Sequence, residues 1–218
     1  MKQVKEQLYA QVALIGKVLA SPKRLQLLEL LCQGEKTVET LAEQSGAGIK
    51  LASAHLRELR HAHLVESRRE GKYVLYRLAS TAVADLWVQL REVAQERLAE
   101  LRHVAASVAD PQDLHGVDRQ EILARARTGE VLVLDVRPAD EYGAGHLPHA
   151  RSIPLAELKK RLAELPKDVP VVAYCRGPFC FMARDAVALL RSRGFNALHL
   201  SDGVAEWRAR GLPVETPA

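Results

Sequence analysis

The 218-residue chain is 48% hydrophobic and 27% charged, which is typical of soluble globular proteins and leaves room for two domains. Its net charge of +4 lies in the first half, since residues 1–108 hold 16 basic and 12 acidic side chains whereas residues 109–218 hold 15 of each. The apolar runs are too short to span a bilayer and the N-terminus lacks the pattern of a signal peptide, so we expect a cytoplasmic protein with no membrane partner.

Helical periodicity dominates the first sixty residues. Apolar side chains recur every three or four positions, Ser21-Pro22 is typical of a helix start, and Thr37 can cap a further helix. The pattern predicts four helices, over residues 4–19, 23–32, 38–44 and 49–62. Leu51, Leu56 and Leu59 are expected on one apolar face of the fourth helix.

The periodicity changes after the fourth helix. Residues 65–78 alternate in polarity around a turn at 69–72, which predicts a basic β-hairpin. A single long helix is predicted over 81–107, and its apolar stripe is too long for so small a domain to cover. We therefore expect a homodimer in which a helix of a second subunit covers this stripe.

Two short helices joined by a Ser45-Gly46-Ala47-Gly48 turn and followed by a basic hairpin are typical of a winged helix-turn-helix. The second helix of such a unit enters the major groove of DNA, and basic side chains of the wing contact phosphates. The candidate DNA-binding residues are Lys50, Ser53, His55 and Arg57 on the helix and Arg68, Arg69 and Lys72 on the wing. The alternative is a helical bundle with an incidental hairpin and a solvated run of charge.

The segments SPKRLQLLELL and SAHLRELRHAHLVESRREGKYVLYRL resemble the ArsR/SmtB family of winged-helix repressors, and the resemblance extends over residues 10–105. The matching positions are Ser53, His55, Leu56, Leu59, Leu64, Val65, Arg69, Gly71 and Tyr76. The resemblance implies a homodimer that binds an inverted-repeat operator in double-stranded DNA and leaves it when an inducer arrives. One departure is His63, where the family usually has a glycine that closes the recognition helix.

The metal-binding motifs of that family do not extend to this chain. Metal-sensing relatives carry a Cys-x-Cys site in the third helix, or acidic and His ligands on the last helix, whereas residues 38–46 contain no cysteine and His103 stands alone on the long helix. We therefore expect no metal and no cofactor. Cys32 ends an apolar helix face and is expected to be buried, and residues 81–108 contain no cysteine with which it could form a thiol switch.

The second half alternates between strands and helices. Residues 109–117 break the helical pattern and are predicted to be a linker. Beyond them, EVLVLDV, PVVAYC and ALHLSDG have the pattern of buried strands, and each precedes a helical pattern. The predicted fold is therefore a mainly α winged helix-turn-helix domain over 1–108, followed by an α/β domain over 118–218 with a parallel sheet flanked by helices.

Three cysteines, Cys32, Cys175 and Cys180, form no disulfide framework and suit a reducing compartment. Cys175 ends the strand PVVAYC, and the loop RGPFC leads into a helix. This arrangement brings backbone N–H groups and a helix N-terminus to the thiol, so we expect it to lower the pKa of Cys175 and to hold a thiolate or a persulfide. Arg176 adds positive charge, and Arg184 is a further candidate. The alternative is a buried structural cysteine.

Three ordered blocks, VLVLDVRPADEYGAGHLPHARSIPL, YCRGPFC and LSDGVAEWRARGLPVE, resemble the rhodanese family from about residue 118 to 216. The matching positions are Asp135, Arg137, Glu141, Tyr142, Gly145, His146, Leu147 and Ile153 in the first block and Gly203, Trp207, Gly211, Pro213 and Val214 in the last. The resemblance implies that Cys175 accepts a sulfane sulfur as a persulfide and passes it to a nucleophile. Asp135, Arg137 and His146 fit roles in supporting the loop better than direct catalysis.

The active loop departs from the rhodanese pattern. Many members have an arginine where this chain has Cys180, and Pro178 removes one N–H group, so we expect thiosulfate to bind less well than in a typical member. Cys180 either resolves a persulfide on Cys175 by forming a disulfide or fills space at the helix start. Phosphatase and arsenate-reductase relatives need Cys-x5-Arg, and Phe181 in the arginine position argues against oxyanion chemistry.

These observations leave two main hypotheses for function. In the first, the protein is a DNA-binding repressor that senses or transfers sulfane sulfur, from a donor such as polysulfide or thiosulfate, through a persulfide on Cys175 with Arg176 and Cys180 beside it. In the second, it is a sulfurtransferase with an accessory DNA-binding domain. An interaction module with an inactive rhodanese domain is disfavoured because the nucleophile and its loop are intact.

Overall fold

The computed structural model describes residues 1–108 and 119–216, and the chain divides by its contacts into two units, Met1–Trp87 and Val88–Ala218. The predicted linker over 109–117 lies outside the described residues. None of the helices in the two described ranges combines the length and the apolar character that a membrane span requires.

The first unit contains four complete helices and a small antiparallel sheet. The helices are α1 (Lys2–Leu19), α2 (Pro22–Leu31), α3 (Val38–Gln44) and α4 (Ile49–His61), and the strands are β1 (Lys36–Thr37), β2 (Val65–Glu70) and β3 (Tyr73–Leu78). The sheet has the order β1-β3-β2, and Gly71 turns the β2–β3 hairpin with a φ of 58°. The Thr37 side chain caps α3 by accepting from the N–H of Thr40 at 3.1 Å. The four predicted helices and the hairpin are confirmed.

The core of the first unit is formed by one face each of α2, α3 and α4. In α4 the buried side chains are Ala52, Leu56 and Leu59, which share one face of the helix. The prediction for Leu51 is wrong, since its side chain is 49% exposed. Its position is one residue, or about 100° of rotation, away from the buried Ala52. Cys32 is buried as predicted.

Helix α5 (Thr81–Arg97) begins in the first unit and ends in the second. A separate helix, α6 (Ala99–Ser107), follows because Leu98 adopts extended backbone angles, with φ −95° and ψ 112°. The prediction of one uninterrupted helix over 81–107 is therefore wrong. The Arg102 guanidinium donates to the carbonyl oxygen of Glu96 and so satisfies a backbone acceptor at the end of α5.

A four-stranded parallel sheet forms the centre of the second unit, with the strand order β5-β4-β6-β7. The strands are β4 (Leu132–Asp135), β5 (Arg151–Ser152), β6 (Val171–Tyr174) and β7 (Ala197–Leu200). The remaining helices are α7 (Arg119–Arg127), α8 (Ala139–Ala144), α9 (Leu155–Arg161), α10 (Met182–Ser192) and α11 (Val204–Ala209). The predicted parallel sheet with flanking helices is confirmed, and α7, α8 and β5 are additions to it.

Two apolar clusters join the sheet of the second unit to the helices around it. One cluster includes Leu158 of α9 and Leu190 of α10, and the other includes Ile122 of α7 and Trp207 of α11. The ladder between β4 and β6 pairs Asp135 with Tyr174, so both strands end at the same edge of the sheet. Open parallel sheets place their functional residues at this edge, and Cys175 is the residue that follows β6.

Candidate functional site

Cys175 begins a loop, residues 175–181, that connects β6 to α10 and is called the sulfur loop below. Its side chain is 1% exposed, and the N–H groups of Ala183 and Gly177 donate to its sulfur. Gly177 has a φ of 142°, a conformation that glycine adopts more readily than any other residue. The predicted cluster of backbone N–H groups around Cys175 is present.

The two cysteines of the sulfur loop form a hydrogen-bonded pair. The S–H group of Cys175 faces the carbonyl oxygen of Cys180 at 3.3 Å and also the Cys180 sulfur. Burial raises the pKa of Cys175 well above that of an ordinary thiol. The hydrogen bond from Cys175, together with backbone N–H groups of Arg176 and Met182, lowers the pKa of Cys180 to about 6.

The pKa shift of Cys175 is opposite in direction to the one that the sequence predicted. We expected the loop to lower the pKa of Cys175. This expectation is wrong, because burial removes the water that would stabilise a Cys175 thiolate. Cys180 is less buried and has backbone donors of its own. At neutral pH the hydrogen-bonded pair therefore shares one proton between its two sulfur atoms.

Arg176 is anchored to helix α8. Its guanidinium donates to both carboxylate oxygens of Glu141 at 2.7–3.1 Å, and Glu141 is buried. This bidentate ion pair balances most of the Arg176 charge and fixes the start of the sulfur loop. Arg176 also lowers the pKa of Cys180 through its charge, as a smaller cause than the hydrogen bonds to that sulfur.

A buried polar network holds the segment that follows β4. Arg137 pairs with Asp135 at 2.5 Å, both side chains are fully buried, and the Arg137 guanidinium donates to the carbonyl oxygen of Gly145 at 2.7 Å. Burial raises the pKa of Tyr174, whose hydroxyl group stays protonated and donates to Asp135. His146 stacks on Tyr142 with a ring-centroid distance of 3.8 Å. These contacts suit the loop-supporting role expected for Asp135, Arg137 and His146.

Arg184 lies in the first turn of α10. Its guanidinium donates to the carbonyl oxygen of Val108 at 2.6 Å and lies 5.7 Å from the ring centroid of Phe181. These contacts place Arg184 at the end of the sulfur loop. A role in binding a sulfur donor remains a prediction.

The candidate DNA-binding residues lie on α4 and on the β2–β3 hairpin. Lys50, Arg57, Arg69 and Lys72 are exposed, and Ser53 and His55 are half-buried. Arg68 is exposed too, but its guanidinium forms ion pairs with Glu35 at 2.6 Å and with Glu70. Arg68 is therefore less free to bind phosphate than Arg69 is.

Comparisons with known proteins find a matching family for each half of the chain. Residues 21–67 match the arsR family of bacterial regulatory proteins, and residues 118–210 match the rhodanese-like domain. An HTH-type transcriptional regulator of Mycobacterium tuberculosis is 48% identical over 215 residues, which is 98% of this chain and 94% of that protein. The chain is an ArsR-family regulator with a C-terminal rhodanese-like domain.

Two further relatives each match one half of this ArsR-family regulator. A sulfurtransferase of Allochromatium vinosum is 34% identical over 103 residues, covering 46% of this chain and 94% of that protein. The solution structure of a homodimeric winged helix-turn-helix DNA-binding domain from Mycobacterium bovis is 46% identical, with a TM-score of 0.42, and covers 44% of this chain and 89% of that one.

His63, the position at which this ArsR-family chain departs from the family pattern, forms the turn that follows α4. His63 adopts a φ of 56°, the left-handed conformation that a glycine would adopt at the end of the recognition helix. The N–H of Leu64 donates to the carbonyl oxygen of Leu59 at 3.0 Å, so the turn still closes α4. Histidine therefore makes the same turn at some cost in backbone strain.

Four residues of this ArsR-family regulator lie at the sulfur loop and were not predicted there, namely Arg91, Glu141, Gly203 and Glu206. Glu141 and Gly203 were matched to the rhodanese pattern without a role. Glu206, three residues after Gly203, is a capping-box position, and that spacing is the one signal that marks it. Arg91 lies in a helix assigned to the first predicted domain, so no local pattern connects it with the loop.

Within residues 1–108 and 119–216, no group of three or more His, Cys, Asp or Glu side chains is arranged to hold a metal ion.

Proposed function

We propose that this ArsR-family regulator is a repressor that binds an inverted-repeat operator as a homodimer and changes its DNA affinity when sulfane sulfur is loaded on Cys175. The observation that carries the proposal is the Cys175–Cys180 pair, which holds a thiol and a thiolate within the sulfur loop of a chain that also has a winged helix-turn-helix.

The proposed chemistry needs only a sulfane-sulfur donor. The Cys180 thiolate takes the Cys175 proton, and the Cys175 thiolate then attacks a sulfur atom of a polysulfide, forming one S–S bond while a shorter polysulfide leaves with the electron pair. Cys175 is now a persulfide. When Cys180 is deprotonated again, its thiolate attacks the Sγ of Cys175, a Cys175–Cys180 disulfide forms and hydrosulfide leaves. The donor's sulfane sulfur is thereby reduced to sulfide, and the two thiols are oxidised.

The sulfur loop suits polysulfide better than thiosulfate. Thiosulfate is a dianion, and the arginine that many rhodaneses offer to it is replaced here by Cys180. Arg176 is bound to Glu141, and Pro178 has no N–H to donate.

The DNA-binding part of the proposal is supported by exposed side chains on two elements. Lys50 and Arg57 are exposed on α4, where they would face base edges or phosphates, and Arg69 and Lys72 are exposed on the wing, where they would face phosphates. Ser53 and His55 are partly exposed on α4. A winged helix of this kind inserts α4 into the major groove.

Homodimer formation is supported by apolar side chains that the single chain leaves exposed. Val4, Leu8 and Val12 are exposed along α1, and Leu90 and Val93 are exposed along α5. Exposed apolar stripes of this length mark protein interfaces, and a second copy of the chain offers the same stripes.

The second candidate function is a sulfurtransferase enzyme with an accessory DNA-binding domain. It is favoured by the intact nucleophile and by the likeness to the sulfurtransferase of Allochromatium vinosum. Turnover distinguishes the two functions: an enzyme transfers many sulfur atoms per Cys175 from polysulfide to cyanide, whereas a sensor becomes loaded once and stops.

The test is DNA binding by the full-length protein with and without inorganic polysulfide. A DNA duplex selected from a random pool by the reduced protein serves as the probe, and intact mass spectrometry follows sulfur on the protein. We expect polysulfide to weaken DNA binding by about 10-fold or more in the wild type and to have no effect on Cys175→Ser. Equal release in Cys175→Ser, or a wild-type mass that shows neither added sulfur nor the loss of two hydrogens in a Cys175–Cys180 disulfide, would contradict the proposal.

A further inference from the structure

We infer that Arg91 and Glu206 are positioning residues that connect the sulfur loop to helix α5, so that a change at Cys175 shifts the helix that runs into the first unit. The inference rests on the proposed loading of Cys175 with sulfur, and it adds the route by which that loading alters DNA affinity.

Arg91 and Glu206 form a buried ion pair between α5 and α11. The Nη2 of Arg91 lies 2.8 Å from the Oε1 of Glu206, and the two side chains are 2% and 1% exposed. Breaking a buried pair by removing one partner leaves an uncompensated charge inside the protein. The pair therefore holds α5 and α11 at a fixed distance within the second unit.

Glu206 also contacts the sulfur loop. Its Oε2 accepts from the N–H of Gly203 at 2.6 Å, and a Cβ atom placed on Gly177 would lie 3.1 Å from each carboxylate oxygen. A Cβ atom on Gly203 would lie 2.6 Å from the carbonyl carbon of Arg176. The backbone of the sulfur loop thus packs directly on the first turn of α11, and displacement of the loop displaces the Glu206 carboxylate.

Arg91 contacts the loop by a second path. Its guanidinium carbon lies 5.8 Å from the ring centroid of Phe179, within the range of a cation–π contact. Phe179 belongs to the sulfur loop and lies between Cys175 and Cys180, so we expect a movement of the loop backbone to shift its ring. Arg91 is therefore coupled to the loop both through Glu206 and through Phe179.

Sulfur loading must displace this loop. Cys175 is 1% exposed, and an added sulfur atom at so closed a site forces its neighbours apart. A disulfide with Cys180 would also remove the negative charge from Cys180 and impose its own geometry on the loop backbone. Closely packed contacts respond to such a change by shifting to a second arrangement rather than by bending gradually.

Helix α5 continues the connection toward the DNA-binding side chains. Val83, in its first turn, is part of the core cluster that contains Leu56 and Leu59 of α4. Val83 and Arg91 lie on the same helix, and about 12 Å of helix axis separates them. Helix α5 thus contains both Val83, a core residue of the first unit, and Arg91, which pairs with Glu206 in the second unit.

The test compares polysulfide-dependent DNA release in variants of the full-length protein. The double variant Arg91→Met/Glu206→Gln removes the ion pair without leaving a buried charge, and Phe179→Leu removes only the ring. Glu92→Gln is the matched control, because Glu92 is on the same helix and forms a more exposed ion pair with Arg210. Mass spectrometry measures the fraction of Cys175 that is modified, as the persulfide or as the disulfide with Cys180, so that DNA affinities are compared at equal modification.

We expect the ratio of the DNA dissociation constants with and without polysulfide to be about 10 or more in the wild type and in Glu92→Gln. The ratio falls below about 2 in the double variant, and Phe179→Leu gives an intermediate value. If Arg91→Met/Glu206→Gln and Phe179→Leu both keep the wild-type ratio of dissociation constants, the inference is overturned and the proposed function stands. If the double variant fails to fold by circular dichroism, Phe179→Leu decides alone. Absence of both a persulfide and a Cys175–Cys180 disulfide after polysulfide treatment of the wild type overturns the inference and the proposed function together.

Discussion

The guanidinium of Arg176 is held by both carboxylate oxygens of Glu141, although the two residues are 35 positions apart in the chain. The pair joins the start of the sulfur loop to α8, which follows the neighbouring strand β4. The loop arginine therefore acts here as an anchor, and the charge available to an incoming donor is small.

Replacing Glu141 by Gln should destabilise the protein by about 3 kcal/mol, because the largely buried Arg176 loses the carboxylate that balances its charge. Urea unfolding followed by circular dichroism measures this change. Glu157→Gln is the control, since Glu157 pairs with Arg161 on the surface and its loss should change the free energy of unfolding by less than about 1 kcal/mol. Equal effects of the two substitutions would contradict the anchoring role.

Thiol reactivity should depend on pH through Cys180. The lowered pKa means that the thiolate is present above pH about 6 and is lost as the pH falls through that value. We expect the rate of iodoacetamide labelling of the wild-type loop to be half-maximal near pH 6. In Cys180→Ser, only the buried Cys175 with its raised pKa remains, so the labelling rate at pH 7 should fall by about 30-fold or more. An unchanged pH profile in Cys180→Ser would assign the low pKa to Cys175.

Adding a methyl group at Gly203 should disrupt the sulfur loop. The new Cβ would lie 2.6–2.7 Å from backbone atoms of Arg176 and Cys175, so the loop or α11 must move. Gly203→Ala should therefore lose most modification of Cys175, as persulfide or disulfide, measured by mass after treatment with polysulfide. The matched control is Gly143→Ala, since a Cβ at Gly143 meets nothing within 4 Å and lies within α8. That control should keep the modification of Cys175 and gain about 0.5 kcal/mol of stability.

The wing arginines should differ in their contributions to DNA binding. Arg69→Ala should reduce the slope of log K against log salt concentration by about 1, which is the effect of losing one phosphate contact. Arg68→Ala should change this slope less, because Glu35 and Glu70 already hold the Arg68 guanidinium. Fluorescence anisotropy over a range of salt concentrations measures both slopes. A larger loss for Arg68→Ala would show that the ion pairs open when DNA binds.

The sequence predicted the elements with strong local patterns. The helices of the first unit follow from periodicity, from the cap at Thr37 and from Pro22, and the parallel sheet follows from three buried strands that alternate with helices. The break at Leu98 could not be predicted, because no glycine or proline marks it. The face of α4 was misplaced at Leu51, since Ala52 is small enough to be overlooked as a core residue.

The chemistry of the site was harder to predict than its location. The residue order placed Cys175 at the carboxyl end of a strand, and the structure bears this out. The assignment of the low pKa to Cys175 failed because burial depends on everything packed around the thiol, which no local motif records. Arg91 was missed for the same reason, since its contact with Glu206 joins residues 115 positions apart.

The near-complete burial of Cys175 has a kinetic consequence for a regulator of this kind. Under the proposed function, a donor would reach the buried sulfur only when the loop opens, so at high donor concentration the rate of modification would equal the rate of opening and stop rising with concentration. A brief pulse of donor then modifies few molecules, whereas a sustained supply modifies all of them. Under the proposed function, the closed loop would make the response depend on the duration of exposure as well as on the donor concentration.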